Sequence, residues 1–261
     1  MSVVTYQHRM NNVSGDIAAY NETLMSMSAF LRTFDWISSL IICGSYAKGS
    51  LAPGWSDLDL VVVYTGEMTR ERLDAVRLAD GRNPNPRVPV GIDFVRDETL
   101  ARTRRIIGRP LAMSLELAQY ARPVFGPNHF TDLAREPGDA ATVARESEVL
   151  VRADANSWLR RSMNGYHSAD AELFDAAKTL LRIAMFESSP LRPSGFAVAD
   201  YCNAVRAVVA NENICEAFSL CEDLRLGWSV RPSDEAWIQA NLERLTPALL
   251  DYCEAWKPFW S

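Results

Sequence analysis

The chain has 261 residues, 48% hydrophobic and 23% charged, with a formal net charge of −6 at pH 7. That is enough apolar material for one substantial core or two modest ones. No apolar run reaches the ~18 residues of a membrane span, the N-terminus lacks the basic-then-apolar order of a secretory signal, and no basic block is present; neither a membrane nor a nucleic-acid partner is expected. The five cysteines (Cys43, Cys202, Cys215, Cys221, Cys253) form no CxxC pair and the three histidines (His8, His129, His167) are far apart. This pattern points to reduced, structural thiols in a cytoplasmic protein and away from a thiolate/imidazole zinc site. Three lysines (Lys48, Lys178, Lys257) leave 24 of the 27 basic residues as arginine, so Lys48, inside a turn, stands out. The acidic balance mildly favours small or cationic substrates.

In chain order, residues 14–37 place Ile17, Tyr20, Leu24, Met27, Phe30, Leu31 and Phe34 at helical spacing and predict an amphipathic opening helix. "SLIIC" (39–43) is short and β-branched, a buried strand. "SYAKGS" (45–50) starts a helix that Gly49, Pro53 and Gly54 break at once. "DLDLVVVY" (57–64) is a second strand, "TRERLDAVRLAD" (69–80) a helix, "GRNPNPRVP" (81–89) a turn, "VGIDFV" (90–95) a third strand and "DETLARTRRII" (97–107) a helix. After "RPVFGPNHF" (122–130) only helical segments follow: 139–164, 170–187, 196–210, 212–225 and 233–256. The expectation is an α/β N-terminal domain over 1–127 and an all-α helical-bundle domain over 128–261.

Side chains in a strand alternate, so Asp57 and Asp59 are expected on one face. Two carboxylates on one face repel unless a cation lies between them. Oxygen donors suit a hard ion, and Mg²⁺ takes one or two carboxylates while leaving positions for phosphate oxygens. Asp93, the only acid of the third strand, adds a third carboxylate if that strand is adjacent and in register. The turn "GSYAKGS" supplies the complement: backbone N–H groups at Gly44 and Ser45, the Ser45 hydroxyl, and Lys48 as a point charge for a phosphate. Together these parts describe a metal–nucleotide site. Arg182, inside the apolar "LLRIAM", needs an anionic partner if buried, and a triphosphate is the expected one.

The stretch "GSYAKGSLAPGWSDLDLVVV" resembles the signature of the DNA polymerase β-like nucleotidyltransferase superfamily, hG-[GS]-x(9–13)-D-x-D, over roughly residues 38–97. The resemblance implies a small mixed sheet flanked by helices and transfer of a nucleoside monophosphate from a nucleoside triphosphate. "RPVFGP", "ELFDAAKTLLRIAM" and "FAVADYC" are similar to segments of the aminoglycoside adenylyltransferases that act on streptomycin and spectinomycin. That second resemblance implies Mg²⁺-dependent transfer of AMP from ATP to a hydroxyl of a small cationic acceptor, release of pyrophosphate, and a role in antibiotic resistance.

The resemblance also implies roles for particular residues. Asp57 and Asp59 would hold Mg²⁺, and Asp93 would be general base, third ligand, or both. Gly44 and Ser45, with Lys48 and Arg182, would bind the nucleotide phosphates, and Glu172 and Asp175 the cationic acceptor, with Asp170 nearby. Glu116 is a further acceptor-contact candidate, and the first acid to test as base should Asp93 face away from the other two. The chain departs from the family in three places. The family's catalytic Glu falls at Gly91, its ATP-contacting Lys is replaced within "PLRPSGF", where Arg192 is the candidate substitute, and its drug-stacking Trp has no evident counterpart. Alternative acceptors are a lincosamide, a biosynthetic intermediate, or a protein hydroxyl, including that of a toxin–antitoxin-type partner. "RSMNGYH" (Arg161 to His167) fits the loose R-x(4–6)-H pattern of helical HEPN ribonucleases, a pattern short enough to arise by chance. The sequence sets no oligomeric state.

Overall fold

A computed structural model of the chain describes residues 16–77, 83–103, 111–131, 140–189, 197–209 and 211–254. Arg192 lies outside the described residues. The chain divides into two compact units, one of Asn12–Pro137 and one that takes in Gly138–Ser261. Among the described residues no helix is long and apolar enough to cross a membrane.

The first unit is a four-stranded mixed sheet with helices. It runs α1 (Ile17–Leu31), β1 (Ile37–Cys43), the single turn α2 (Gly44–Ala47), β2 (Leu58–Tyr64), α3 (Arg70–Arg77), β3 (Val90–Arg96), α4 (Asp97–Thr103), α5 (Leu111–Tyr120) and β4 (Arg122–Phe125). Strand order is β3-β2-β1-β4, with β1 antiparallel to both neighbours and β2 parallel to β3. The three apolar runs legible in the sequence are the inner strands and β3. β4 was not foreseen: it is four residues long, carries Pro123 and sits at the sheet edge, where a missing N–H is tolerated. Helix α5 was not foreseen either.

Alternation divides the strands between two cores. Leu40, Ile42, Leu58, Leu60 and Val62 face α1, which buries Tyr20, Met27 and Leu31 at helical spacing. Ile41, Val61, Val63 and Val95 face the other way, against Leu100 of α4 and Leu117 of α5. With both faces covered, the β2 run "LVVV" is apolar throughout rather than alternating. Asp16 caps α1, its carboxylate accepting from the Ala18 N–H at 2.8 Å.

The second unit is helical: α6 (Ala140–Asn164), α7 (Ala169–Ser188), α8 (Val198–Arg206), α9 (Glu212–Gly227), a 3₁₀ turn (Trp228–Val230) and α10 (Glu235–Glu254). α7 is the central element and packs against α6, α8, α9 and α10. It is buried on nearly every side, with Leu173, Phe174, Leu180 and Ile183 filling space and Ala176, Ala177 and Ala184 letting neighbours approach. Ser168 starts it by accepting from the Ala171 N–H at 3.2 Å.

Candidate active site

Asp59 is the second residue of β2, opposite Cys43 on β1 and Gly91 on β3. Its face continues inward as Val61 and Val63, both buried. Asp93 is paired with Val61 in the parallel ladder, so its side chain shares the face of Asp59. The two carboxylates therefore stand at the open end of an otherwise apolar sheet face. They line a cavity of about 100 Å³ together with Gly44, Gly91, Glu116 and Leu117. Asp57 is half-buried and precedes β2 by one residue, so strand alternation does not fix its direction. Among the described residues Asp57, Ser45 and Lys48 are outside that lining.

The turn after β1 is shaped around Asp59. Gly44 takes φ +64°, and a Cβ there would lie 2.0 Å from Asp59 Oδ2. Only glycine meets both demands, the left-handed backbone and the close approach. A Cβ at Gly91 would lie 3.3 Å from Asp59 Oδ1. One carboxylate is thus bracketed by two backbone surfaces that carry no side chain. The loop between α2 and β2 closes on itself: Ser56 N–H donates to Ala52 O at 2.8 Å, and Ala52 N–H donates to Ser56 Oγ at 3.0 Å. Tyr20 of α1, fully buried, donates its hydroxyl to Ser56 O at 2.7 Å, and Leu58 N–H donates to Pro89 O at 2.8 Å. Asp57 is set between these two anchors.

Lys48 ends α2 and reaches across to α5, where its Nζ lies 2.9 Å from Glu116 Oε1, with the two side chains 12% and 10% exposed. The sequence singled out both residues but not their pairing. The helix that brings Glu116 into place was unread, and nothing local to either residue announces the other.

Among the described residues no group of three or more His, Cys, Asp or Glu side chains is arranged to hold a metal ion. A cation shared with a nucleotide needs no such cage, because Mg²⁺ binds through one or two carboxylates and completes its shell with phosphate oxygens and water. The donor set fits that mode: carboxylate oxygens of Asp59, with Asp57 and Asp93 near in the fold, beside a glycine turn that a Cβ would fill.

Residues 25–109 match the family described as "Nucleotidyltransferase domain". This stretch is similar to a nucleotidyltransferase domain. The fold of the whole chain is similar to spectinomycin adenyltransferase AAD(9) from Enterococcus faecialis, whose structure was solved with ATP and spectinomycin. The similarity has a TM-score of 0.53 at 14% identity and covers 91% of this chain and 98% of that one. No curated protein matches the sequence. The α/β nucleotidyltransferase unit followed by a helical unit is thus the fold that the sequence led us to expect.

The sequence-derived acceptor and phosphate residues of the helical unit have partners of their own. Asp175 accepts from Arg161 Nε at 2.8 Å and from the Tyr166 hydroxyl at 2.6 Å, while Arg161 also donates to Ser157 Oγ and Thr179 Oγ1. Burial first, then the hydrogen bond and charge of Asp175, push the Tyr166 phenol well above its ordinary range. The Arg161 of the R-x(4–6)-H pattern is therefore part of a helix-to-helix network. Arg182, only half-buried, donates its Nε to Asp154 at 2.8 Å, joining α7 to α6. Asp170 pairs with Arg231 at 3.1 Å. Glu172 accepts from Ser162 Oγ at 3.5 Å and lines an open groove of about 580 Å³ with Leu242, Glu243, Leu250, Asp251 and Glu254.

None of the five cysteines is in a disulfide. Burial pushes the Cys202 thiol up to about 12 and that of Cys221 well above its usual value. Burial of this kind disfavours the thiolate, the reactive form of a cysteine.

Proposed function

We propose that the protein transfers AMP from ATP to a hydroxyl of a small cationic acceptor, an aminoglycoside being the first class to test, and releases pyrophosphate. The observation that carries this reading is the placement of Asp59 and Asp93 on one sheet face, in one cavity, against the bare turn at Gly44. The family match over residues 25–109 and the similarity to an adenyltransferase solved with ATP support the reaction class.

In this reading the acceptor hydroxyl attacks the α-phosphorus of ATP in line, and the bond to the leaving pyrophosphate breaks. Asp93 takes the hydroxyl proton, replacing the glutamate that Gly91 lacks two positions earlier on the same strand face. Asp57 and Asp59 hold Mg²⁺, which when bound screens the phosphate charge and acidifies the attacking hydroxyl. The turn at Gly44 and Ser45 receives the phosphates, with Lys48 adding positive charge. Residues 128–261 form the acceptor-binding domain, where we assign Glu172 the cationic groups. Asp175, already held by Arg161 and Tyr166, acts there by fixing α6 against α7. Arg182, paired with Asp154, is assigned to the nucleotide only through exchange of that partner.

Paired variants test the division of labour. Asp59→Asn is expected to abolish metal-dependent ATP binding in a calorimetric titration with the fold intact. Asp93→Asn is expected to keep that binding and lower kcat by roughly 10²–10⁴-fold, the usual share of a general base. An unchanged Mg²⁺-ATP titration in Asp59→Asn contradicts the metal role. A weakened one in Asp93→Asn, with a raised Mg²⁺ requirement, makes Asp93 a ligand rather than the base.

A further inference from the structure

The described lining of the cavity carries three acids, Asp59, Asp93 and Glu116, and no lysine or arginine. Three carboxylates around so small a space repel one another, and a buried unpaired carboxylate is strongly disfavoured. Glu116 lies on α5, is 7% exposed, and holds the ammonium of Lys48 at 2.9 Å. Lys48 in turn is the C-terminal cap of α2, with its own N–H donating to Gly44 O at 3.2 Å. The pair thus ties the far end of the Gly44 turn to the helix that roofs the same cavity.

A lysine on a turn ordinarily keeps its four-carbon stem mobile and its ammonium in water. Here the side chain is largely withdrawn from solvent and its charge is fixed at the edge of an acidic cavity. We propose that Glu116 is a positioning residue: it holds Lys48 at the border of the cavity so that the ammonium is already in place for the phosphates of an incoming nucleotide. The inference rests on the nucleotidyl-transfer reading and gives Glu116 a task other than acceptor contact or proton abstraction. It also explains why one of so few lysines in an arginine-rich chain stands at this position. A compact, rotatable point charge can keep one hydrogen bond to Glu116 and turn another N–H toward a phosphate, whereas a guanidinium paired in its fork to a carboxylate is committed to that plane.

The test is a double-mutant cycle on the full chain with Lys48→Met, Glu116→Gln and the pair, reading Mg²⁺-ATP affinity, acceptor KM, kcat and melting temperature. Each single variant is expected to weaken ATP binding by about tenfold, the worth of one charge-assisted hydrogen bond. The double variant should lose no more than either single, because the two act as one unit. The acceptor KM should not move. A charge swap, Lys48→Glu with Glu116→Lys, should regain the melting temperature of the wild type without regaining ATP affinity. Losses in ATP affinity that simply add overturn the proposal. So does a Glu116→Gln variant that raises acceptor KM alone, or one that melts earlier yet binds ATP as the wild type does. A wild type that binds no Mg²⁺-ATP sinks both the reading and this inference, whereas additivity in a wild type that does bind sinks the inference alone.

Discussion

At the scale of single residues, the site is organised by what glycine omits. Gly44 and Gly49 both adopt positive φ, +64° and +71°, but a Cβ at Gly44 would strike Asp59 while one at Gly49 meets nothing within 4 Å. The two positions therefore separate backbone strain from contact. Gly44→Ala and Gly49→Ala are each expected to cost about 1–2 kcal/mol for forcing an L-residue into the left-handed region. Only Gly44→Ala should also displace the Asp59 carboxylate and remove Mg²⁺-ATP binding. Thermal melts and nucleotide titrations of both variants check this, and equal loss of binding in the two contradicts it. Much of this was legible in the sequence because it is local: the G-S turn, the D-x-D spacing and the single acid of "VGIDFV" lie within short segments of fixed periodicity. That Asp93 shares the face of Asp59 required the parallel register of β2 and β3, which no local pattern states. The Lys48–Glu116 pair spans two elements distant in sequence, one of them an unread helix.

Elements hold these residues by bracketing. α1 touches the approaches to both site strands: Tyr20 anchors the residue before Asp57, and Thr23 donates to Asn83 Oδ1 at 3.1 Å, whose amide in turn donates to Val88 O ahead of β3. The sequence showed α1 as an amphipathic helix, but its polar anchors sit among the buried apolar positions and carry no periodic signal of their own. β4 escaped for a different reason, being too short and proline-bearing to register against the turn residues around it. In the helical unit, α7 and α10 are joined by the Tyr252 hydroxyl, which donates to Glu187 Oε2 at 2.6 Å. Burial pushes the Glu187 carboxyl above its ordinary value, outweighing that hydrogen bond. The folded pKa is thus raised above the unfolded one, so this group's contribution to stability is fully present below the unfolded pKa and is lost as pH rises through the folded value. Glu187→Gln is expected to flatten that segment of the stability-against-pH curve. Melting temperatures of wild type and variant across the acidic range test this, and parallel curves refute it.

At the scale of the whole molecule, the fold is that of a nucleotidyltransferase unit joined to a helical unit, over nearly the full length of a spectinomycin adenyltransferase. The motif, the cavity and the family match coincide in the first unit, to which the proposed function assigns the nucleotide chemistry. The proposed function assigns acceptor choice to the second, where the acids nominated from the sequence are mostly paired with arginines, Asp170 with Arg231 and Asp175 with Arg161, and Glu172 lines the acidic groove. Helical spacing in the sequence gave the helices of this unit but not their pairing, because which arginine meets which acid depends on helix packing. The most direct measurement is pyrophosphate release from Mg²⁺-ATP with a panel of aminoglycosides, paired with mass spectrometry of each acceptor. Release that depends on one acceptor, stops with Asp59→Asn and leaves that acceptor heavier by one AMP is the expected result. Release no faster with any acceptor than without one, in a protein that binds Mg²⁺-ATP, contradicts transfer to this class of molecule.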